Sequence, residues 1–249
     1  MPENILEFPK SKTKSILRLN TRSGSDKTTM QMDMFGVVGG DFWSDGGITR
    51  DTVAKILKDI PNSVETVDVR MSSPGGDVFE GRAIANLIAD HRAKFNINVI
   101  AECCSIATII AMAGDTIHMS EGSVFLVHRC YTIAMGNSQE MKKLSRDLEL
   151  IDETMVGTYK KKTKMKEQDI LNLMDENRYM DEKEAKKLGF VDSVSDEENE
   201  EYIASSMFKI AAMNVDRKKL HLPPLPIENQ MGRKVALKAL DRIKVARKI

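Results

Sequence analysis

Three short stretches of this chain hold the residue types that a hydrolytic site needs. Residues 101–114, AECCSIATIIAMAG, place Ser105 where an alternating strand pattern gives way to a helix of small residues. A serine hydroxyl attacks a carbonyl only after a base takes its proton, so a histidine on a neighbouring strand end is the natural complement. Residues 123–128, SVFLVH, form a short apolar run that ends on His128. Residues 72–77, SSPGGD, put two glycines where a strand turns into a helix. Such a turn leaves backbone N–H groups free to bind an oxyanion. Nucleophile, base and anion hole are all represented.

Each of these residues has a plainer reading. A serine before an apolar helix is most often its N-cap, and Ser105 gains weight as a nucleophile only because His128 and the diglycine turn end where a site in this sort of sheet belongs. Cys103 and Cys104 carry the better intrinsic nucleophile, a thiol. Adjacent strand residues point to opposite faces, so at most one of them shares the serine's side, and small core residues is the simpler assignment for both. His118 follows a Gly-Asp turn on a polar strand, His91 lies at a helix end and His221 in the tail, which leaves His128 as the base by elimination. No Cys/His spacing suggests zinc, and no phosphate-binding loop is present, so neither metal nor cofactor is expected.

These residues need elements to position them. Met30, Met32 and Met34 alternate with Gln31 and Asp33 in a strand that the glycines at 36, 39 and 40 end. Thr49 caps a helix carrying Val53, Ile56, Leu57 and Ile60, and Pro61 stops it. Val67, Val69 and Met71 form a strand running into SSPGG; Phe79, Ala83, Leu87 and Ile88 mark a helix; Phe95, Ile97, Val99 and Ala101 lead to Ser105. The alternation of strand and helix predicts parallel strands with right-handed crossovers and ligand sites at strand carboxyl ends, where Ser72, Gly75, Gly76, Ser105 and His128 all fall. The longest helix begins near Asn137 with Met141, Leu144, Leu148, Ile151, Met155 and Tyr159 on one stripe, a seam for another element or subunit. Shorter helices are expected over residues 167–174 and 182–188, with Gly189 as the C-terminal cap.

At 249 residues the chain suits one main domain with appendages. We read residues 1–28 as a flexible N-terminal segment with an edge strand near Ile16, residues 29–202 as the catalytic domain, and residues 203–249 as a basic extension with a Pro-rich spacer. The totals of 37 basic and 37 acidic residues give no global field for nucleic acid or an anionic membrane. Three cysteines make no disulfide framework, and no apolar run resembles a signal peptide or a membrane span. A soluble protein of a reducing cytoplasm is expected.

As a set, these motifs resemble the ClpP family of serine peptidases, in particular the ClpP-like prohead proteases of tailed phages and prophages. The resemblance covers residues 30–194. It is carried by SSPGGDVFEG, ECCSIATIIAMAGD, FLVHRCYTIAMGN, DLELIDETMVGTYKKKTKM and MDENRYMDEKEAKKLGFVDSV. It implies an α/β fold, a ClpP/crotonase-type spiral of βαβ units with a long protruding helix. Ser105 becomes the nucleophile, His128 the general base then acid, and the N–H groups of Gly75 and Ile106 the oxyanion hole, with extended substrate lying along Gly76. The family's acidic third member falls at Asn177, which accepts a hydrogen bond but brings no charge; Asp175, Glu176 and Asp181 are the substitutes within reach in sequence. A change of Asp to Asn costs about 10⁴ in turnover in the serine-protease template, so restoring a carboxylate at Asn177 is expected to raise the rate if Asn177 orients His128.

The resemblance also implies a homo-oligomer of two stacked rings, polypeptide substrates such as phage scaffold and capsid proteins, and an unfolding ATPase as a further partner. Three functions compete. The leading one is a serine endopeptidase that trims head proteins. The second keeps the fold as a weak or inactive shell component. The third, a crotonase-type acyl-CoA enzyme, has no need of a Ser/His pair.

Overall fold

The computed structural model describes residues 15–21, 28–40 and 47–195. The basic extension with its Pro-rich spacer and most of the N-terminal segment lie outside the described residues.

In chain order the elements are β1 (Ile16–Thr21), β2 (Thr29–Phe35), α1 (Arg50–Lys58), β3 (Thr66–Ser73), α2 (Val78–Ala89), β4 (Lys94–Cys104), α3 (Ile106–Ala111), β5 (Thr116–Met119) and β6 (Val124–Leu126). Then follow α4 (Ser138–Thr163), α5 (Glu167–Glu176), β7 (Met180–Asp181), α6 (Glu182–Lys187) and β8 (Ser193–Val194). One mixed sheet runs β1-β2-β3-β4-β5-β8, with β6 and β7 branching from β4. All pairs are parallel except β1 with β2 and β6 with β7. The period-two patterns place Met30, Met32, Met34, Val67, Val69, Met71, Phe95, Ile97, Val99, Ile117 and Met119 in one buried apolar layer. The opposite face is polar: fully buried Asp33 takes Arg70 at 2.7 Å and Arg18 at 3.2 Å, which satisfies its charge across three strands.

Helix boundaries follow from the caps. Thr49 and Thr52 form a reciprocal capping box at α1, Asp77 accepts the Glu80 N–H at 2.8 Å at α2, and Asn137 and Glu140 do the same reciprocally at α4. Gly189, at φ +83°, closes α6 as its N–H reaches Lys186 O while the Phe190 N–H reaches Ala185 O.

What positions the site is a fork in β4. Its first half pairs with β5, from Asn96↔Thr116 to Val99↔Met119, and its last three residues pair with β6, from Glu102↔Val124 to Cys104↔Leu126. A register irregularity between Met71 and Ser73 lets β3 follow the bend. The carboxyl ends of β3, β4 and β6 thereby converge.

Two stripes differ from the sequence expectation. On α2 the expected Ile88 is buried and Ala83 and Leu87 are partly so, but Phe79 is 68% exposed, and Gly81, Ile84 and Ala85 take the remaining inward positions. The reason is Gly81: a Cβ there would collide with Ile106 Cγ1, so a glycine must face α3 for the two helices to touch. On α4 only the C-terminal half of the predicted seam, Met155 and Tyr159, is buried; Met141 is exposed and Leu144, Leu148 and Ile151 are partly so.

Because Gly81 sets the seat of α3, Gly81→Ala is expected to destabilise the protein by about 1–3 kcal/mol through overpacking, despite the better helix propensity of alanine. Urea unfolding of the two proteins checks it; equal or greater stability of the alanine variant contradicts the packing account.

Candidate active site

Ser105 occupies the N-cap position of α3 but does not cap it. Its side chain makes no capping hydrogen bond, and its backbone sits at φ 56°, ψ −133°. A serine that merely started a helix would adopt extended angles and bond an N–H of the first turn. The conformation found here is one that L-residues adopt at a cost of roughly 1–3 kcal/mol, and it presents the hydroxyl on a sharp strand-to-helix turn. The neighbours hold it there. The Ser105 N–H donates to Leu126 O at 2.9 Å, and the Ser105 carbonyl accepts Thr108 Oγ1 at 2.6 Å. Gly75, at φ +96°, lies so close that an added Cβ would stand 2.6 Å from Ser105 Cβ.

The diglycine turn supplies amides. Gly75 N–H donates to Ser73 Oγ at 3.2 Å, and the Gly75 carbonyl accepts Val38 N–H at 2.8 Å. Gly76 packs on the Val38 carbonyl, where no side chain fits. Among the described residues, the N–H groups of Gly76 and Ile106 have no hydrogen-bond partner. Of the two donors named from sequence, Ile106 is therefore free, whereas Gly75 is engaged and its neighbour Gly76 is free. The signal for this was absent from the sequence, because it depends on the isolated bridge between Val38 and Gly76.

His128 is the second residue after β6 and is partly buried. The Cys104↔Leu126 register brings Ser105 and His128 to adjacent strand ends. His128 Nδ1 lies 2.6 Å from the Arg129 carbonyl; a carbonyl only accepts, so Nδ1 carries the hydrogen, and in the neutral ring the lone pair is then on Nε2. Among the described residues Ser105 Oγ and His128 Nε2 make no hydrogen bond to each other or elsewhere. Tyr131, 79% exposed, stacks obliquely on the imidazole at 5.6 Å between centroids.

The candidates for a third member are not brought to His128. Asn177 is the exposed C-cap of α5 at φ 46°, ψ 48°, with no hydrogen bond among the described residues. Asparagine is one of the few residues that tolerate this left-handed conformation, which gives the position a backbone reason of its own. Asp175 forms a bidentate pair with Arg129 at 2.8 and 3.0 Å, and that guanidinium holds its carboxyl below the usual carboxylate range. Glu176 pairs with Arg178, and Asp181 caps α6 by accepting the Glu184 N–H. Sequence reasoning passed over Asp152, a buried acid on α4 that accepts the Cys130 N–H at 2.7 Å and Arg129 Nη1 at 3.4 Å. Its only sequence signal was a carboxylate beside the Met155/Tyr159 stripe.

The remaining candidates have other roles. Burial pushes the Cys103 thiol well above its ordinary range and the Cys104 thiol to about 12, with the Glu102 carboxylate adding to both. Neither is a ready thiolate. His118 Nδ1 bonds Ser193 Oγ at 2.9 Å, and His91 packs edge-on against Phe95 while accepting the Ala93 N–H. Among the described residues no three His, Cys, Asp or Glu side chains come together as a metal site, and no helix is long and apolar enough to cross a membrane.

Comparison with known proteins bears on the family and the fold. The sequence profile of Clp protease matches residues 45–198, more than half of the chain. The chain is similar to the ATP-dependent Clp protease proteolytic subunit of Deinococcus radiodurans, 24% identical over 147 residues that make up 58% of this chain and 72% of that protein. In structure it is similar to ClpP1 from Listeria monocytogenes, solved as an asparagine-to-aspartate mutant. That likeness has a TM-score of 0.58 and 15% identity and covers 67% of this chain and 91% of the other. The fold is therefore the ClpP-type α/β fold expected from sequence.

One outcome follows from the site's packing. Iodoacetamide at pH 8 is expected to modify the partly exposed Cys130 first and to spare Cys103 and Cys104, since a thiol titrating near 12 is only about one part in 10⁴ thiolate there. Peptide mapping of the native protein checks this, and rapid modification of Cys104 contradicts it.

Proposed function

The chain belongs to the Clp protease family, and on that premise we propose that it is a serine endopeptidase with Ser105 as nucleophile and His128 as general base. The observation that carries the reading is Ser105 itself: strained, partly exposed, freed from capping and flanked by unpartnered amides. His128 Nε2 takes the Ser105 proton as Oγ attacks the peptide carbonyl. The Ile106 N–H and an amide of the diglycine turn receive the developing oxyanion, with Gly76 free and Gly75 able to serve only by leaving Ser73. The imidazolium then protonates the departing amine, and water resolves the acyl-enzyme by the same route. Extended substrate lies along the diglycine turn, held by main-chain hydrogen bonds that select little by side chain.

The finer assignment is to capsid or scaffold processing in a phage or prophage head. It rests on the MAGD sequence after the serine helix and on Gly136-Asn137 after the histidine. Assembly into stacked rings fits the uncovered N-terminal half of α4 and the exposed Tyr131, Ile133 and Met135 beside His128. An unfolding ATPase as partner is in keeping with the Deinococcus relative, named as an ATP-dependent protease subunit. A cytoplasmic location suits the same reading.

The second reading, a weak or inactive shell component, is favoured by one observation: among the described residues Asn177 is neither charged nor hydrogen-bonded to His128.

A fluorophosphonate probe is expected to label Ser105, and Ser105→Ala and His128→Ala are each expected to abolish peptide hydrolysis without disturbing the oligomer. Cleavage retained in Ser105→Ala sinks the assignment. Since Nδ1 of His128 is already engaged by the Arg129 carbonyl, Asn177→Asp is expected to leave peptide turnover within about twofold. A rise of tenfold or more identifies a site lacking its charged third member and favours the second reading.

A further inference from the structure

The buried face of α4 carries two polar side chains, Asp152, 5% exposed, and Tyr159, 1% exposed. Seven residues apart, they lie on one stripe two turns from each other. Buried polar groups require partners, and the partners of these two lead to the two halves of the candidate site.

Tyr159 Oη lies 2.7 Å from Thr108 Oγ1, and Thr108 Oγ1 donates to the Ser105 carbonyl at 2.6 Å. The threonine hydrogen is spent on that carbonyl, so Tyr159 is the donor to Thr108. In a trans peptide the C=O and the following N–H are rigidly antiparallel. Fixing the Ser105 carbonyl therefore also aims the Ile106 N–H, the free amide at the site. Asp152 works on the other half. It accepts the Cys130 N–H at 2.7 Å and Arg129 Nη1 at 3.4 Å, which pins the segment immediately after His128 from both main chain and side chain. The Arg129 carbonyl in that segment accepts His128 Nδ1–H at 2.6 Å. The bidentate Arg129–Asp175 pair holds the guanidinium at the exposed side, while the buried Asp152 holds the main chain at Cys130.

We propose that Asp152 and Tyr159 are the positioning residues of the serine/histidine pair, and that the Arg129 carbonyl stands where a charged third member would otherwise hold the imidazole. This rests on the serine-peptidase reading above. Asp152 keeps His128 in the Nδ1–H tautomer, with Nε2 ready to accept a proton. Tyr159, through Thr108, keeps an oxyanion donor aimed. One helix face thus sets both partners relative to each other.

The test uses the full chain in its assembled state. The rate of Ser105 labelling by a fluorophosphonate is measured for Tyr159→Phe, Thr108→Val and their double variant. The His128 tautomer is read by ¹⁵N NMR in a Ser105→Ala background with and without Asp152→Ala. Tyr159→Phe and Thr108→Val are expected to slow labelling about tenfold each, and the double variant no more than Thr108→Val alone, because the two act in series. Asp152→Ala is expected to move His128 toward the Nε2–H tautomer. Asp152→Asn, which still accepts from Cys130 N–H, should give a smaller shift and serves if the alanine variant fails to fold. Additive losses in the Tyr159/Thr108 pair, or a tautomer indifferent to Asp152, overturn the proposal while leaving a labelled Ser105 intact. Absence of labelling in the wild type overturns the serine-peptidase reading and this proposal with it.

Discussion

The structure turns on the backbone of Ser105, held at φ 56° between a strand and a fully buried helix. An L-residue does not stay there unless its surroundings over-determine it, because the strain amounts to roughly 1–3 kcal/mol. Three neighbours supply the constraint. Leu126 takes its N–H, Thr108 takes its carbonyl, and Gly75 closes the space behind it. Gly81 adds a fourth by admitting Ile106 into contact with α2. Each of these residues has a type dictated by the turn: glycine where a Cβ would collide, a hydroxyl where a carbonyl needs a donor.

The second organising element is α4, which plays different parts along its length. Its C-terminal half packs Met155, Val156 and Tyr159 into the core and reaches both strand ends through buried polar side chains. Its N-terminal half projects with Met141 and Leu150 uncovered. The acidic and basic groups around Arg129 lie where the two regimes meet.

Much of the fold was legible in the sequence because it rests on local rules. The alternation of methionines over 30–34 and of Val67, Val69 and Met71, the cap Thr49, the helix start at Asn137 and the closing Gly189 all report nearest-neighbour chemistry that survives folding unchanged. The stripe of α2 held at Ile88 and Leu87 but not at Phe79, because inward direction was set by a contact with Ile106, twenty-five positions downstream of Gly81, and not by apolar content.

The sequence by itself determined the strand and helix rhythm, the parallel sheet and the meeting of a serine, a histidine and a glycine turn at strand ends. Those follow from periodicity and turn chemistry. Only the tertiary structure decided who partners whom at the site: that Gly75 gives its amide to Ser73, that Asn177 is a helix terminus facing solvent, and that His128 leans on the Arg129 carbonyl with Asp152 behind it. Hydrogen bonds at a site are settled by distances of a few tenths of an ångström between segments far apart in the chain, and composition and spacing carry no record of those distances.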